Sequence, residues 1–233
     1  MKNKNCFEVR VLTLFPDMFP GILEHSLAGR ALNKNIWNIE TVNVRDYTND
    51  KYGRVDDEPY GGGPGMIMRA DVLSRAYDEN KPEKNWSKII LTPRGKPLTQ
   101  KIVKTISKKP GIILVCGRYE GVDERFIESR SLEEISVGDY ILSGGEPAAF
   151  IILDSVIRLL SGTTGSKESL IEESFENNLL EYPQYTRPYD WEGINPPKVL
   201  LSGNHQEIKK WRDEKAFKDT KKRRPELLLD EKD

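Results

Sequence analysis

The 233-residue chain has little cysteine and little histidine: Cys6, Cys116, His25 and His205 are all it carries. Two cysteines so far apart cannot form the scaffold of a small secreted protein, and they point to a reducing compartment. Four scattered thiols and imidazoles are too few for a structural zinc site, so each histidine reads as a surface or hydrogen-bonded side chain. Long hydrophobic runs are also missing. The apolar stretch 147–160 is broken by Asp154 and Arg158, and Glu8 and Arg10 interrupt the N-terminal one. Neither a membrane span nor a signal h-region is expected, and the chain reads as cytoplasmic with no membrane partner. An excess of one charge is absent too: 36 Lys and Arg face 37 Asp and Glu. That argues against a protein that holds nucleic acid over its whole surface. The phosphate-binding P-loop, the dinucleotide fingerprint G-x-G-x-x-G after the first strand and the G-x-S-x-G nucleophile elbow do not occur.

What is present is an alternation. Apolar runs at Phe7–Phe15, Ile39–Val44, Lys88–Leu91, Ile112–Cys116 and Val137–Leu142 predict strands. Between them Pro20–Asn33, Met66–Asn80, Leu98–Ser107, Val122–Ser129 and Pro147–Leu160 predict helices. Strands alternating with helices indicate an α/β domain with a largely parallel sheet over residues 1–161. The texture then changes. Residues 162–178 are rich in Gly, Ser, Thr, Glu and Asn, as in a mobile linker. Residues 179–233 form a small, aromatic, basic and mainly helical region. Its helix is announced by Asn204 as a cap with Glu207 three residues on. Residues 207–224 hold nine Lys or Arg against four Asp or Glu. Such a segment is either a solvated helix face or a track for phosphates. Trp191 and Trp211 read as core of this region in preference to platforms for bases.

Three strands run into unusual loops: Leu91 into Thr92-Pro93-Arg94-Gly95, Val115 into Cys116-Gly117-Arg118-Tyr119-Glu120-Gly121, and Ile141 into Leu142-Ser143-Gly144-Gly145-Glu146. The carboxyl ends of parallel strands share one sheet edge, and ligands bind there. Three loops on that edge make one pocket lined with backbone NH and CO groups; on pattern alone three tight turns remain the alternative.

These loops resemble those of the bacterial tRNA (guanine-N1)-methyltransferase family, TrmD, within the SPOUT class. The likeness begins at Thr13-Leu14-Phe15-Pro16-Asp17-Met18-Phe19 and passes through Arg45-Asp46-Tyr47-Thr48 and Pro59-Tyr60-Gly61-Gly62-Gly63-Pro64-Gly65-Met66. Its most specific parts are Leu114 to Gly121 and Gly138 to Glu146. It continues through Tyr185-Thr186-Arg187-Pro188, Leu200 to His205 and Arg223 to Leu228. The resemblance implies a SPOUT-type sheet with a C-terminal trefoil knot, a homodimer with active sites between subunits, and tRNA as partner. It implies S-adenosyl-L-methionine as methyl donor and magnesium as a further cofactor, with no carboxylate cluster in the sequence to mark a metal site. The donor residues carry over as Leu91, Pro93, Gly117, Tyr119, Ser136, Val137, Gly138, Asp139, Tyr140, Ile141, Leu142, Gly144 and Gly145. The implied substrate is the guanosine just 3′ of the anticodon, methylated at N1.

Guanine N1 is a poor nucleophile until its proton leaves, and the departing proton pushes negative charge onto O6. The reaction therefore needs a base and a cation. By resemblance Arg158 is the cation; without the family it would read as a helix-end ion-pair partner. The family places aspartate before Ser-Phe in the linker, where this chain has Glu173, followed by Ser174 at the substrate. Glu173 is assigned as the base, with Glu172 as the alternative. Glu120 is assigned to the guanine, whose N1–H and exocyclic amine can donate to a carboxylate; the alternative is a glutamate that only orders its own loop. Another SPOUT-class RNA methyltransferase and a non-catalytic RNA-binding protein are the competing readings.

Overall fold

The computed structural model describes residues 6–164 and 173–229. The chain divides into two compact units, Met1–Gly165 and Ser166–Asp233.

The first unit is a parallel sheet covered by helices. Strands β1 (Phe7–Thr13), β2 (Trp37–Asn43), β5 (Ser87–Pro97), β6 (Gly111–Cys116) and β7 (Glu133–Ser136) form a five-stranded sheet in the order β2-β1-β6-β5-β7. Every pairing is parallel. A separate antiparallel pair joins β3 (Asp56–Asp57) to β4 (Ile67–Met68). Strand β6 lies at the centre and all six of its residues are buried. Its side chains alternate between faces, as the pleat requires. Ile112, Leu114 and Cys116 join one core cluster with Val9, Val11, Ile89 and Leu91. That cluster takes Ala28 and Ala31 of α1 (Ser26–Asn33), Val103 and Ile106 of α3 (Gln100–Ser107), and Ile152, Leu153 and Val156 of α5 (Gly145–Ile157). Ile113 and Val115 face the other cluster with Leu12 and Ile90. There they meet Val72, Leu73 and Ala76 of α2 (Ala70–Glu79) and Phe126 and Ile127 of α4 (Glu124–Arg130). The architecture is a mixed α/β sandwich of helices around a parallel sheet.

Several boundaries differ from the sequence expectation, each for a physical reason. The strand expected at Val137–Leu142 lies instead at Glu133–Ser136, and residues 137–142 form a loop. Gly138 has φ 153° there, and Ile141 is 82% exposed, so β-type residues serve a surface loop. The helix expected from Met66 starts at Ala70, because Met68 is taken up by β4 and a bridge to Val122. The helix expected over Pro20–Asn33 is a 3₁₀ turn, Gly21–Glu24, followed by α1. Strand β5 outruns Leu91 to Pro97, with a register break between Leu91 and Lys96 that frees residues 92–95 from the ladder.

The second unit contains 3₁₀ turns and the long helix α6 (His205–Arg223). Asn204 caps it as expected, accepting from the N–H groups of Gln206 and Glu207. Thr220, fully buried, donates to Ala216 O at 2.7 Å and accepts from Leu180 N–H at 2.9 Å, which pins α6 to the 179–185 segment. Trp191, expected in the core, is 59% exposed; Trp211 is half-buried against the ring of Tyr185, 6.2 Å away. The Trp191 side chain follows a local bridge to Ile194, which is also exposed.

Candidate active site

The parallel sheet brings three loop-bearing ends to one edge. After Leu91, residues 92–95 leave the ladder and return at Lys96, which pairs with Ile135. Gly95 lets this excursion pass close to β7: a Cβ there would sit 2.4 Å from Ile135 N. After Cys116 the chain turns at Gly117–Gly121. Tyr119 takes φ 59° and Gly121 N–H closes the turn on Arg118 O at 3.2 Å. After Ser136 the chain makes the long loop that ends where Gly145 N–H meets Gly117 O at 2.9 Å, joining the second loop to the third. The N-terminus of α5 follows at once.

The three loops line one cleft of about 1370 Å³. Leu91, Pro93, Gly117, Tyr119, Ser136, Val137, Gly138, Tyr140, Ile141, Leu142, Gly144 and Gly145 all contribute to its wall. Asp139 does not; it is exposed on the same loop. The volume and the mixture of apolar side chains with backbone amides and carbonyls fit a nucleoside-sized ligand with room for a second group.

The opposite wall was not assigned from sequence. It comprises Asp57–Tyr60 and Ile67–Asp71, which flank the glycine run. The signal was visible in Tyr60-Gly61-Gly62-Gly63-Pro64-Gly65, where Gly65 at φ 82° leaves space that a Cβ would take from the Glu120 side chain, 2.3 Å away. Glu120 is held by its backbone, donating to Met66 O at 3.0 Å, while Gly121 O accepts from Met68 N–H. Its carboxylate has no hydrogen-bond partner among the described residues and lines the cleft between the two walls.

Ion pairs brace the rim. Arg94 meets Glu124 and Glu134, whose hydrogen bonds raise its guanidinium further above the usual arginine range. Arg125 hydrogen-bonds Asp123 and so holds that carboxyl below the usual carboxylate range. In the core cluster next to Gly117, burial pushes the Cys116 thiol well up, with Glu146 adding to the effect. That sulfur is a packed, neutral group and no nucleophile.

Of the residues assigned to proton chemistry, Arg158 shares a unit with this cleft and does not line it. Arg158 is at the C-terminal boundary of α5, whereas Gly144, Gly145 and Ala148 meet the cleft at the other end. Thirteen helical residues put roughly 20 Å between those ends. Glu173 and Ser174 belong to the second unit. Glu173 lines a smaller cleft of about 620 Å³ with Tyr182, Tyr185 and Arg212. Ser174 Oγ accepts from Glu181 N–H at 3.0 Å. Glu172 lies outside the described residues. Among the described residues no cluster of three His, Cys, Asp or Glu side chains is placed to hold a metal ion, and no helix is long and apolar enough to cross a membrane.

A family profile described as tRNA (Guanine-1)-methyltransferase TrmD matches residues 7–230. The chain is 56% identical over 224 residues to a protein of Chelativorans sp. (strain BNC1), covering 96% of this chain and 95% of that one. It is 55% identical over 222 residues to one of Zymomonas mobilis, covering 95% and 89%. It is 51% identical over 222 residues to one of Agrobacterium fabrum, covering 95% and 96%. All three relatives carry the name tRNA (guanine-N(1)-)-methyltransferase.

Proposed function

The chain belongs to the tRNA (guanine-1)-methyltransferase family TrmD, and from that premise we propose how its parts work as an enzyme that methylates N1 of guanosine in tRNA. The observation that carries the proposal is the convergence of three glycine-bearing loops and Glu120 on one cleft at the carboxyl edge of the sheet.

S-adenosylmethionine, when bound, supplies an electrophilic methyl group. Leu91, Pro93, Val137, Ile141 and Leu142 offer it apolar surface, and the amides and carbonyls around Gly117, Gly138 and Gly144 offer hydrogen bonds. Glu120 faces the remaining space from the middle loop. Its carboxylate accepts from the exocyclic amine on guanine C2, a group that adenine lacks at that position, and leaves the N1–H to the base. Glu173 then takes the N1 proton, and Arg158 stabilises the charge that grows on O6. The Ser174 hydroxyl, which already accepts from Glu181 N–H, has its own proton to donate to the substrate.

The span of α5 supports a homodimer. An Arg158 that stands roughly a helix length from the cleft of its own subunit serves a cleft formed with a second copy. The close crossing at Gly95 and the pairing of β7 with both sides of the 92–95 excursion support a threaded, trefoil path. The target is the guanosine 3′ of the anticodon, which an anticodon loop presents partly unstacked, so extruding it costs less. The cations of α6 would follow the phosphates. Magnesium stays an expectation of the family, and the cytoplasm, where tRNA is found, is the proposed location.

The test is methyl transfer from labelled donor to a tRNA transcript, with the product nucleoside identified by mass spectrometry. N1-methylguanosine is expected, and exchange of the target guanosine for adenosine should abolish incorporation. Labelled ribose, a different labelled base, or donor binding without transfer would overturn the reading.

A further inference from the structure

An ionic cluster in the wall of the cleft has no role in the mechanism so far. Glu146 follows the two glycines of the third loop and is fully buried in the first turn of α5. Its Oε1 accepts from Thr13 Oγ1 at 2.6 Å, at the end of β1. Its Oε2 lies 2.8 Å from Arg118 Nη2, an ion pair whose angle departs from hydrogen-bond geometry. Arg118 Nη1 donates to Ser143 O at 3.2 Å, and the guanidinium stacks on Phe15 with 4.3 Å to the ring centre. One side chain of the middle loop thus holds the third loop twice, by a backbone carbonyl and by a carboxylate, and rests on the segment after β1.

The neighbouring glycines are shaped to admit it. A Cβ on Gly144 would lie 2.4 Å from Arg118 Nε and 2.6 Å from its Cζ. Gly144 has an extended backbone at φ 172°, so its lack of a side chain is required by that contact and not by its dihedral. Packing alone would not favour the cluster, because a buried pair recovers its desolvation cost only when the geometry is good. Here Arg118 Nε is also buried without a partner among the described residues. Arg118 itself lines the cleft, and Glu146 lies buried behind it in the first turn of α5, where the helix N-terminus favours the carboxylate.

We propose that Arg118, held by Glu146 and Thr13, is a positioning residue that clamps the Gly117–Tyr119 loop to the Ser143–Gly145 loop and so sets the affinity for the methyl donor, leaving the transfer step to other groups. The inference rests on the donor reading of the cleft. A guanidinium fork is needed, since an ammonium cannot reach a carbonyl and a carboxylate in one plane.

The experiment measures donor affinity by calorimetry, kcat and both KM values, and the melting temperature, on the full chain. Arg118→Lys is expected to weaken donor binding roughly ten- to a hundredfold, the range spanned by loss of one hydrogen bond to a charged group. At saturating donor its kcat should stay within about threefold of the parent, with the KM for tRNA unchanged. Arg118→Met leaves Glu146 buried without its cation and should melt earlier. Adding Glu146→Gln to it should restore the melting temperature and not the donor affinity. A double variant that regains both would make the cluster merely structural and overturn the inference. So would a folded Arg118→Lys that binds donor like the parent, or one that loses kcat at unchanged donor affinity. A parent protein that binds no donor would overturn the donor reading itself, and the inference with it.

Discussion

The two units of this chain are built on opposite principles. The sheet unit buries whole side chains in two clusters, one on each face of β6. The second unit, among its described residues, buries only Ala216 and Thr220. Its centre is a threonine hydroxyl bridging α6 and Leu180 N–H, where the sheet unit has Leu114 and Ile152. Helix α6 is polar nearly all round, so it gains little from packing. A unit with few buried apolar contacts opens locally at low cost. On the proposed function this difference would separate two tasks. A bent small molecule needs walls held to a fraction of an ångström, and rigid strands supply them. A flexible RNA loop is met by a surface that can adjust to it.

The largest effect should come from the second unit. Glu173→Gln is expected to lower kcat by about 10²- to 10⁴-fold, the usual contribution of a positioned base, while calorimetry reads unchanged donor affinity. Parent activity in that variant would remove Glu173 from the mechanism and leave all proton chemistry to be sought elsewhere. In the sheet unit the sharpest single change is Gly145→Ala. Its Cβ would lie 2.6 Å from Cys116 Cα, which belongs to the central strand and cannot yield. We expect a melting temperature lower by about 5 °C, in line with overpacking costs of ~1–3 kcal/mol, and loss of donor binding. An unchanged melting curve would show that the sheet edge is softer than its packing implies.

Salt should separate the units next. Affinity for tRNA should fall on the order of 50-fold between about 50 and 200 mM salt if several phosphates are neutralised, whereas donor affinity should hardly move. Equal salt dependence of the two would break the division of labour. The smallest effect is local. Asn204→Ala removes the cap of α6 and should cost ~1 kcal/mol. Hydrogen exchange should detect it in α6 and leave the amides of β6 untouched.

What the sequence disclosed follows the same division. Strand β6 was read almost to the residue, because a strand buried on both faces is written as an unbroken apolar run. Strand β7 was missed. It carries Glu133 and Glu134 at the sheet edge, and Glu134 is engaged by Arg94, so its residues read as polar loop. The apolar residues just after it, Val137 to Leu142, mimicked a strand while lining the cleft. Hydrophobicity there lines a cleft and does not fill the sheet, and periodicity cannot tell the two uses apart. The glycine loops were readable as a pocket because parallel topology puts their ends on one edge. The opposite wall and the Arg118–Glu146 contact were not, since both join residues far apart in the chain with no local pattern to mark them. The roles of Arg158 and Glu173 came from resemblance alone; neither position carries a spacing from which they could be read.

Cys116 makes the seam between Gly145 and the central strand a clock. Its thiol is sealed under the seam where Gly145 presses on the central strand, and burial keeps it protonated. A thiol reagent in solution can react with it only during moments when that seam parts. The rate of modification therefore counts openings of the sheet edge in the intact protein, and a molecule seated between the loops would be felt there as a slower tick.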